Sequence, residues 1–164
     1  MGVTMPFWDD STNINQLTKI KEMKYFAYGS NMDKDRMTKR GINFSSRQFA
    51  KLADYKLLFN KKASKGDYTY SNIVNSDNDF VEGALYEFPD NEISNLDKVE
   101  GYPKHYDKIQ VTITDKDNNS IIAKSDKIVT GLHPTKEYLN HLLAGKDILS
   151  NEYFTYLSKT QTCD

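Results

Sequence analysis

From Met23 onward the chain alternates between strand-like and helix-like patterns of apolar and polar residues. Met23–Tyr28 is an aromatic-rich apolar run that stops at Gly29, and it predicts a strand. Asn31–Arg40 predicts a short helix with Asp33 and Asp35 in its first turn, where acids suit the dipole. Phe49–Asn60 predicts a long strand with room for a bend, and Tyr68–Val74 and Phe80–Phe88 predict two more. Pro89-Asp90 opens a short helix through Asp97, since proline is favoured in a first turn. Tyr106–Thr114, the polar turn DKDNN and Ser120–Val129 predict a hairpin. Thr135–Ala144 and Ser150–Leu157 predict helices, the second with Ser150 as N-cap and Tyr153, Phe154 and Leu157 on one face. Many strands with few helices in mixed order predict an α+β fold, with a curved sheet or small mixed β-barrel and flanking helices.

Residues 1–22 break the pattern. They have no period-two alternation and little apolar content beyond Phe7 and Trp8. The expected organisation is an N-terminal extension over 1–22, mobile or docked by Phe7 and Trp8, followed by one domain over 23–164.

Composition narrows the function classes. The chain has 164 residues, 38% hydrophobic and 27% charged, which fits one globular domain with a real core. The net charge of −1 is spread without a basic stripe, which argues against nucleic acid as a partner and against a membrane surface. Eleven Tyr and eight Phe beside one Trp favour strands and an aromatic-walled pocket. Cys163 has no partner for an internal disulfide, and a chain terminus is a poor place for a nucleophile. His105, His133 and His141 lack a second ligand at metal-like spacing, so no metal is expected. No stretch reaches membrane-spanning length, the N-terminus lacks a signal-like apolar region, and Pro6 stands where myristoylation wants Ser or Thr. The cytoplasm is the expected compartment.

Two stretches carry candidate chemistry. In the first, Tyr28-Gly29-Ser30-Asn31 joins a strand to a helix and presents backbone N–H groups to an anion, with Gly29 permitting close approach or positive φ. A plain joint capped by Ser30 or Asn31 fits the same residues, and on this feature alone it is the better reading. The loop also lacks a P-loop lysine and a G-x-G-x-x-G pattern, so it offers little for a nucleotide phosphate. In the second, NLDKVEGYPKHY, Glu100 sits between Val99 and Gly101 at a helix end, with Leu96, Tyr102 and Tyr106 nearby. A desolvated carboxylate there suits proton transfer near neutral pH. An exposed helix-end acid with Gly101 as cap is the alternative.

Together, YFAYGSNM and LDKVEGYPKHY resemble the γ-glutamylcyclotransferase family. The likeness extends through AKLADYKLLFNK, SNIVNSDNDFVEGALYEF with its V-x-G-x-x-Y, YDKIQVTI, HPTKEYLNHLLAG and LSNEYFTYL, in order from Lys24 to about Leu157. The resemblance implies a small mixed β-barrel with a cavity at one end. It implies a substrate loop of Tyr25, Phe26, Ala27, Tyr28, Gly29, Ser30 and Asn31, with Glu100 as the acid/base and Tyr138 lining the substrate. It implies cyclisation of a γ-glutamyl amine, amino acid or peptide to 5-oxoproline, an intramolecular reaction needing no cofactor. Where family members often carry a Tyr, AKSDKIV appears with Asp126, and an acid at the pocket would alter substrate choice. The expected partner is a small γ-glutamyl molecule, with monomer and homodimer both open. A binding module, or another acyl-transfer or cyclising enzyme on the same scaffold, is the alternative.

Overall fold

The computed structural model describes residues 21–102, 105–113 and 118–164. Phe7, Trp8 and the rest of residues 1–20, and most of the DKDNN turn, lie outside them. The elements in chain order are β1 (Glu22–Ala27), a 3-10 turn (Ser30–Met32), α1 (Lys34–Lys39), β2 (Ser46–Lys62) and β3 (Thr69–Pro89). A second 3-10 turn (Asp90–Glu92), α2 (Ile93–Glu100), β4 (Asp107–Ile113) and β5 (Asn118–Lys124) follow. The chain closes with α3 (Lys136–Leu143), a third 3-10 turn (Ala144–Asp147) and α4 (Asn151–Ser158).

The five strands form one mixed sheet in the order β2-β3-β1-β5-β4. β1 is central because Tyr25, Phe26 and Ala27 are buried on both faces, the pattern of a covered strand. It runs antiparallel to β3 and parallel to β5, with Tyr25 opposite Tyr86 on one side and Ile121 on the other. Phe26, Met32, Tyr86, Phe88, Leu96 and Leu142 are among the most deeply buried side chains of the core. The α+β class is as the sequence implies. The sheet is not closed into a barrel, however. β4 and β5 span only seven residues each, and past β5 the chain meets β2 through a single bridge, Lys61 to Ile128.

Two strands differ from expectation. Tyr68–Val74 and Phe80–Phe88 are one continuous strand, β3, paired with β2 almost throughout. The polar NSDND stretch between them marks a bulge rather than the end of a strand: Asn75 pairs with Tyr55 and Phe80 with Ala53, so residues 76–79 stand opposite Asp54 alone and pairing resumes beyond them. One register shift falls between Ala53 and Tyr55, where Asp54 and Asn78 adopt positive φ and the Asn78 N–H donates to Asp54 Oδ1 at 3.2 Å; a second falls between Leu58 and Lys61. β5 ends at Lys124, short of the expected Val129, because the buried Asn72 side chain takes over the ladder. Its Oδ1 accepts from the Ser125 N–H at 2.9 Å and its Nδ2 donates to the Ser125 carbonyl at 2.7 Å.

The helices are fixed by their caps. Asp33 accepts from the N–H groups of Asp35 and Arg36 at the start of α1, and its other oxygen lies 2.8 Å from His141 Nδ1. Thr135 caps α3 and Ser150 caps α4. Ser150 is itself held by Glu82, a carboxylate only 4% exposed, which accepts from its N–H at 2.9 Å and its hydroxyl at 2.7 Å. Among the described residues, no helix is long and apolar enough to cross a membrane.

Candidate active site

β1 delivers its last side chains to the end of the sheet, and the chain then turns sharply. Gly29 has φ −112, so the need for glycine is proximity rather than a left-handed backbone. A Cβ at this position would lie 2.2 Å from Ser71 Oγ and 3.2 Å from the Tyr138 hydroxyl. Ser71, on β3, anchors Tyr138 twice, with its N–H donating at 3.1 Å and the two hydroxyls 2.7 Å apart. Tyr106 donates to the Ser71 carbonyl at 3.0 Å. The loop backbone is pinned from below, where the Tyr86 hydroxyl donates to the Asn31 carbonyl at 2.7 Å.

Glu100 enters from α2. Gly101 ends that helix in the left-handed conformation with φ 67, turning the chain so that the Glu100 carboxylate faces the loop. Its Oε1 accepts from the Tyr25 hydroxyl at 2.8 Å and from Asn31 Nδ2 at 2.9 Å. Arg40 donates to the other end of the same amide, Asn31 Oδ1, which orients the NH₂ group toward the carboxylate.

Burial pushes the Glu100 carboxyl above its ordinary value, and nearby Asp97 adds to the shift. The hydrogen bonds from Tyr25 and Asn31 and the charge of Arg40 oppose it without cancelling it. The negative end of the α2 dipole acts in the same direction as burial. Burial, and then the Glu100 charge, also raise Tyr25 and Tyr28 well above the usual tyrosine range, so both stay protonated donors.

These groups line a cavity of about 810 Å³. Tyr25, Ala27, Tyr28, Gly29, Ser30, Asn31, Glu100 and Tyr138 all border it. Phe26 does not. It is fully buried on the opposite face of β1, with its ring under Gly83, where an added Cβ would come within 2.9 Å of it. Asp126 is also absent from the cavity wall. Its side chain is 84% exposed and lies 3.6 Å from Lys124, because the chain has left the sheet by that point. Tyr106, expected near Glu100, borders the cavity, while sequence reasoning missed Ser71, Lys61 and the pair Arg36 and Arg40 on its wall. The i, i+4 spacing of the two arginines after the loop puts them on one helix face and was a readable signal. Ser71 had none. Among the described residues, no three His, Cys, Asp or Glu side chains converge as a metal site.

The sequence over residues 25–131 matches the Gamma-glutamyl cyclotransferase, AIG2-like family. It is 29% identical over 128 residues to a Bos taurus protein described as Gamma-glutamylcyclotransferase, covering 74% of this chain and 68% of that one. A solved structure described as Gamma-glutamyl cyclotransferase superposes with a TM-score of 0.77 at 24% identity, covering 88% of this chain and 90% of the other. An uncharacterized protein from Homo sapiens superposes with a TM-score of 0.75 at 25% identity, covering 87% and 90%.

Proposed function

The chain belongs to the Gamma-glutamyl cyclotransferase, AIG2-like family, and from that premise we propose that it converts a γ-glutamyl amide to 5-oxoproline and a free amine. The observation that carries this reading is the Glu100 carboxylate, held at 2.8 and 2.9 Å by Tyr25 and Asn31 inside the cavity. The same reading takes a small γ-glutamyl molecule as substrate and the cytoplasm as compartment.

The substrate supplies both reacting groups. Folding it so that its α-nitrogen approaches its own γ-carbonyl makes the attack intramolecular, and the cavity's main task is to hold that fold. Glu100 takes a proton from the α-ammonium. The freed amine attacks the γ-carbonyl carbon and a tetrahedral oxyanion forms. Glu100 then returns the proton to the leaving nitrogen, the carbonyl re-forms as the C–N bond breaks, and the ring nitrogen gives up its second proton to the released amine, leaving the neutral five-membered lactam. No water is consumed, and both protons that leave the α-nitrogen end on the released amine. A carboxyl raised by burial is suited to both steps, since it is neither too weak a base nor too weak an acid near neutral pH.

The loop supports the charge that develops. Its hydrogen-bonded turn starts with the Met32 and Asp33 N–H groups, which donate to the carbonyls of Gly29 and Ser30. The N–H groups of Gly29, Ser30 and Asn31 stand at the start of that turn and suit the oxyanion or the α-carboxylate. Tyr28, Tyr106 and Tyr138, all kept neutral by burial, form walls that limit water at the reacting atoms.

The test is incubation with a panel of γ-glutamyl amino acids, peptides and amines, with 5-oxoproline and the released amine detected by mass spectrometry. Stoichiometric release of both from at least one compound is expected. If every γ-glutamyl compound survives intact, the reading fails and a non-catalytic binding module takes its place.

A further inference from the structure

Lys61, near the end of β2, is an unusual residue to bury. It is only 6% exposed and borders the same cavity as Glu100. Its Nζ donates to the Lys62 carbonyl at 3.0 Å and lies 5.8 Å from the centre of the Tyr106 ring. Among the described residues, no carboxylate stands within ion-pair distance of it. Burial and the neighbouring charges of Lys127 and Lys62 all disfavour its protonated form. A buried cation among cations, held by one neutral carbonyl, is costly unless an anion joins it.

The rest of the wall shares this imbalance. Among the described residues, Arg36, Arg40, Lys61, Lys62, Lys65 and Lys98 line the cavity against Asp97 and Glu100, and of these cations Lys62 has Asp67 at 3.7 Å. Asp97 is already paired with Lys108 at 2.9 Å. Arg36 has a buried Nε with no acceptor, and it repels Arg40 one helical turn away. The arginines sit at the catalytic end, since Arg40 acts directly on Glu100. They suit the α-carboxylate that every γ-glutamyl substrate carries. Lys61 is carried by a different element, β2, opposite Tyr70 of β3 and next to the turn that joins the two strands. Its companions on the cavity wall around that turn are Lys62, Ser64, Lys65 and Tyr68, whereas Glu100 is carried by α2 and the arginines by α1 and its C-cap. A second anion is therefore wanted away from the reacting atoms, and the leaving group is the part of the substrate that reaches there.

On the reading that the chain is a γ-glutamyl cyclising enzyme, we propose that Lys61 sets its specificity by binding a carboxylate on the leaving group. The substrate class is then a γ-glutamyl compound with an anionic leaving group, a γ-linked acidic amino acid above all, in preference to a γ-glutamyl amine.

The test compares γ-glutamyl-glutamate, γ-glutamyl-alanine and γ-glutamyl-ethylamide with the wild type, Lys61→Met and Lys61→Arg. Wild-type kcat/KM is expected to fall in that order of substrates. The ratio of γ-glutamyl-glutamate to γ-glutamyl-ethylamide should drop about tenfold or more in Lys61→Met, the usual worth of a hydrogen bond to a charged group. Lys61→Arg should restore most of the ratio. A ratio unchanged by Lys61→Met overturns the proposal, and an equal loss on all three substrates assigns Lys61 a structural role only. If the wild type cyclises none of them, the catalytic reading has failed separately. Calorimetric titration of the same compounds then decides for Lys61, since tighter binding of γ-glutamyl-glutamate that Lys61→Met abolishes upholds it and indifferent binding overturns it.

Discussion

Replacing Gly29 by alanine adds one methyl group where the site is tightest. The new Cβ would stand 2.2 Å from Ser71 Oγ, and ordinary contact begins at 3.4 Å, so the serine oxygen must retreat by about 1.2 Å. That oxygen is 2.7 Å from the Tyr138 hydroxyl, and the retreat breaks the bond. Overpacking costs about 1–3 kcal/mol and a lost hydrogen bond about 0.5–1.5 kcal/mol, so a loss near 2–4 kcal/mol is expected in urea unfolding. Ser71→Ala alone should cost about 1 kcal/mol. The double variant is the informative one. With the Ser71 oxygen gone, the nearest remaining atom is the Tyr138 hydroxyl at 3.2 Å, a contact that a shift of a few tenths of an ångström relieves. Gly29→Ala with Ser71→Ala should therefore be more stable than the sum of the singles by about 1–3 kcal/mol. Additivity within about 0.5 kcal/mol would show that the glycine is needed for some other reason.

Tyr25→Phe removes the hydrogen bond that most strongly lowers the Glu100 carboxyl. Its pKa then rises further, and the acid limb of the kcat/KM profile should move to higher pH with a lower rate at neutrality. A limb that stays in place detaches Tyr25 from the proton transfer. Glu82→Ala strips the N–H and hydroxyl of Ser150 of their acceptor and should cost about 2–4 kcal/mol in thermal or urea unfolding. A loss below about 0.5 kcal/mol would mean that α4 does not depend on this contact.

The chemistry-bearing residues were legible where they lie next to one another in the chain. The Tyr28–Asn31 loop and Glu100 stood out because a strand end, a glycine and a helix-end acid each leave a local mark. Phe26 shows a rule available but not applied: on a strand, Tyr25 and Ala27 facing the cavity send Phe26 to the other side. The continuity of β3 was hidden because the polar NSDND stretch bulges opposite Asp54, and a bulge reads in sequence like the end of a strand. Asn72 ending β5 and Glu82 holding α4 act across long sequence separations and have no local signature. Ser71 is the extreme case, a serine whose place at the site is visible only from the space that Gly29 leaves for it.

The most direct measurement is the rate of 5-oxoproline release by wild type and Glu100→Gln on one γ-glutamyl substrate, with affinity and stability followed in parallel. Gln keeps an oxygen for the Tyr25 and Asn31 donors but cannot carry the proton, so turnover should fall by about 10²–10⁴ while Kd changes little. Because the folded state raises the Glu100 carboxyl, ionising it opposes folding. That penalty is absent below the unfolded pKa and fully present above the folded one. Glu100→Gln should thus be at least as stable as wild type at neutral pH. In the wild type, the acid limb should lie above about pH 4.3, the value of a free glutamate. Turnover by Glu100→Gln at the wild-type rate would contradict the account at its centre.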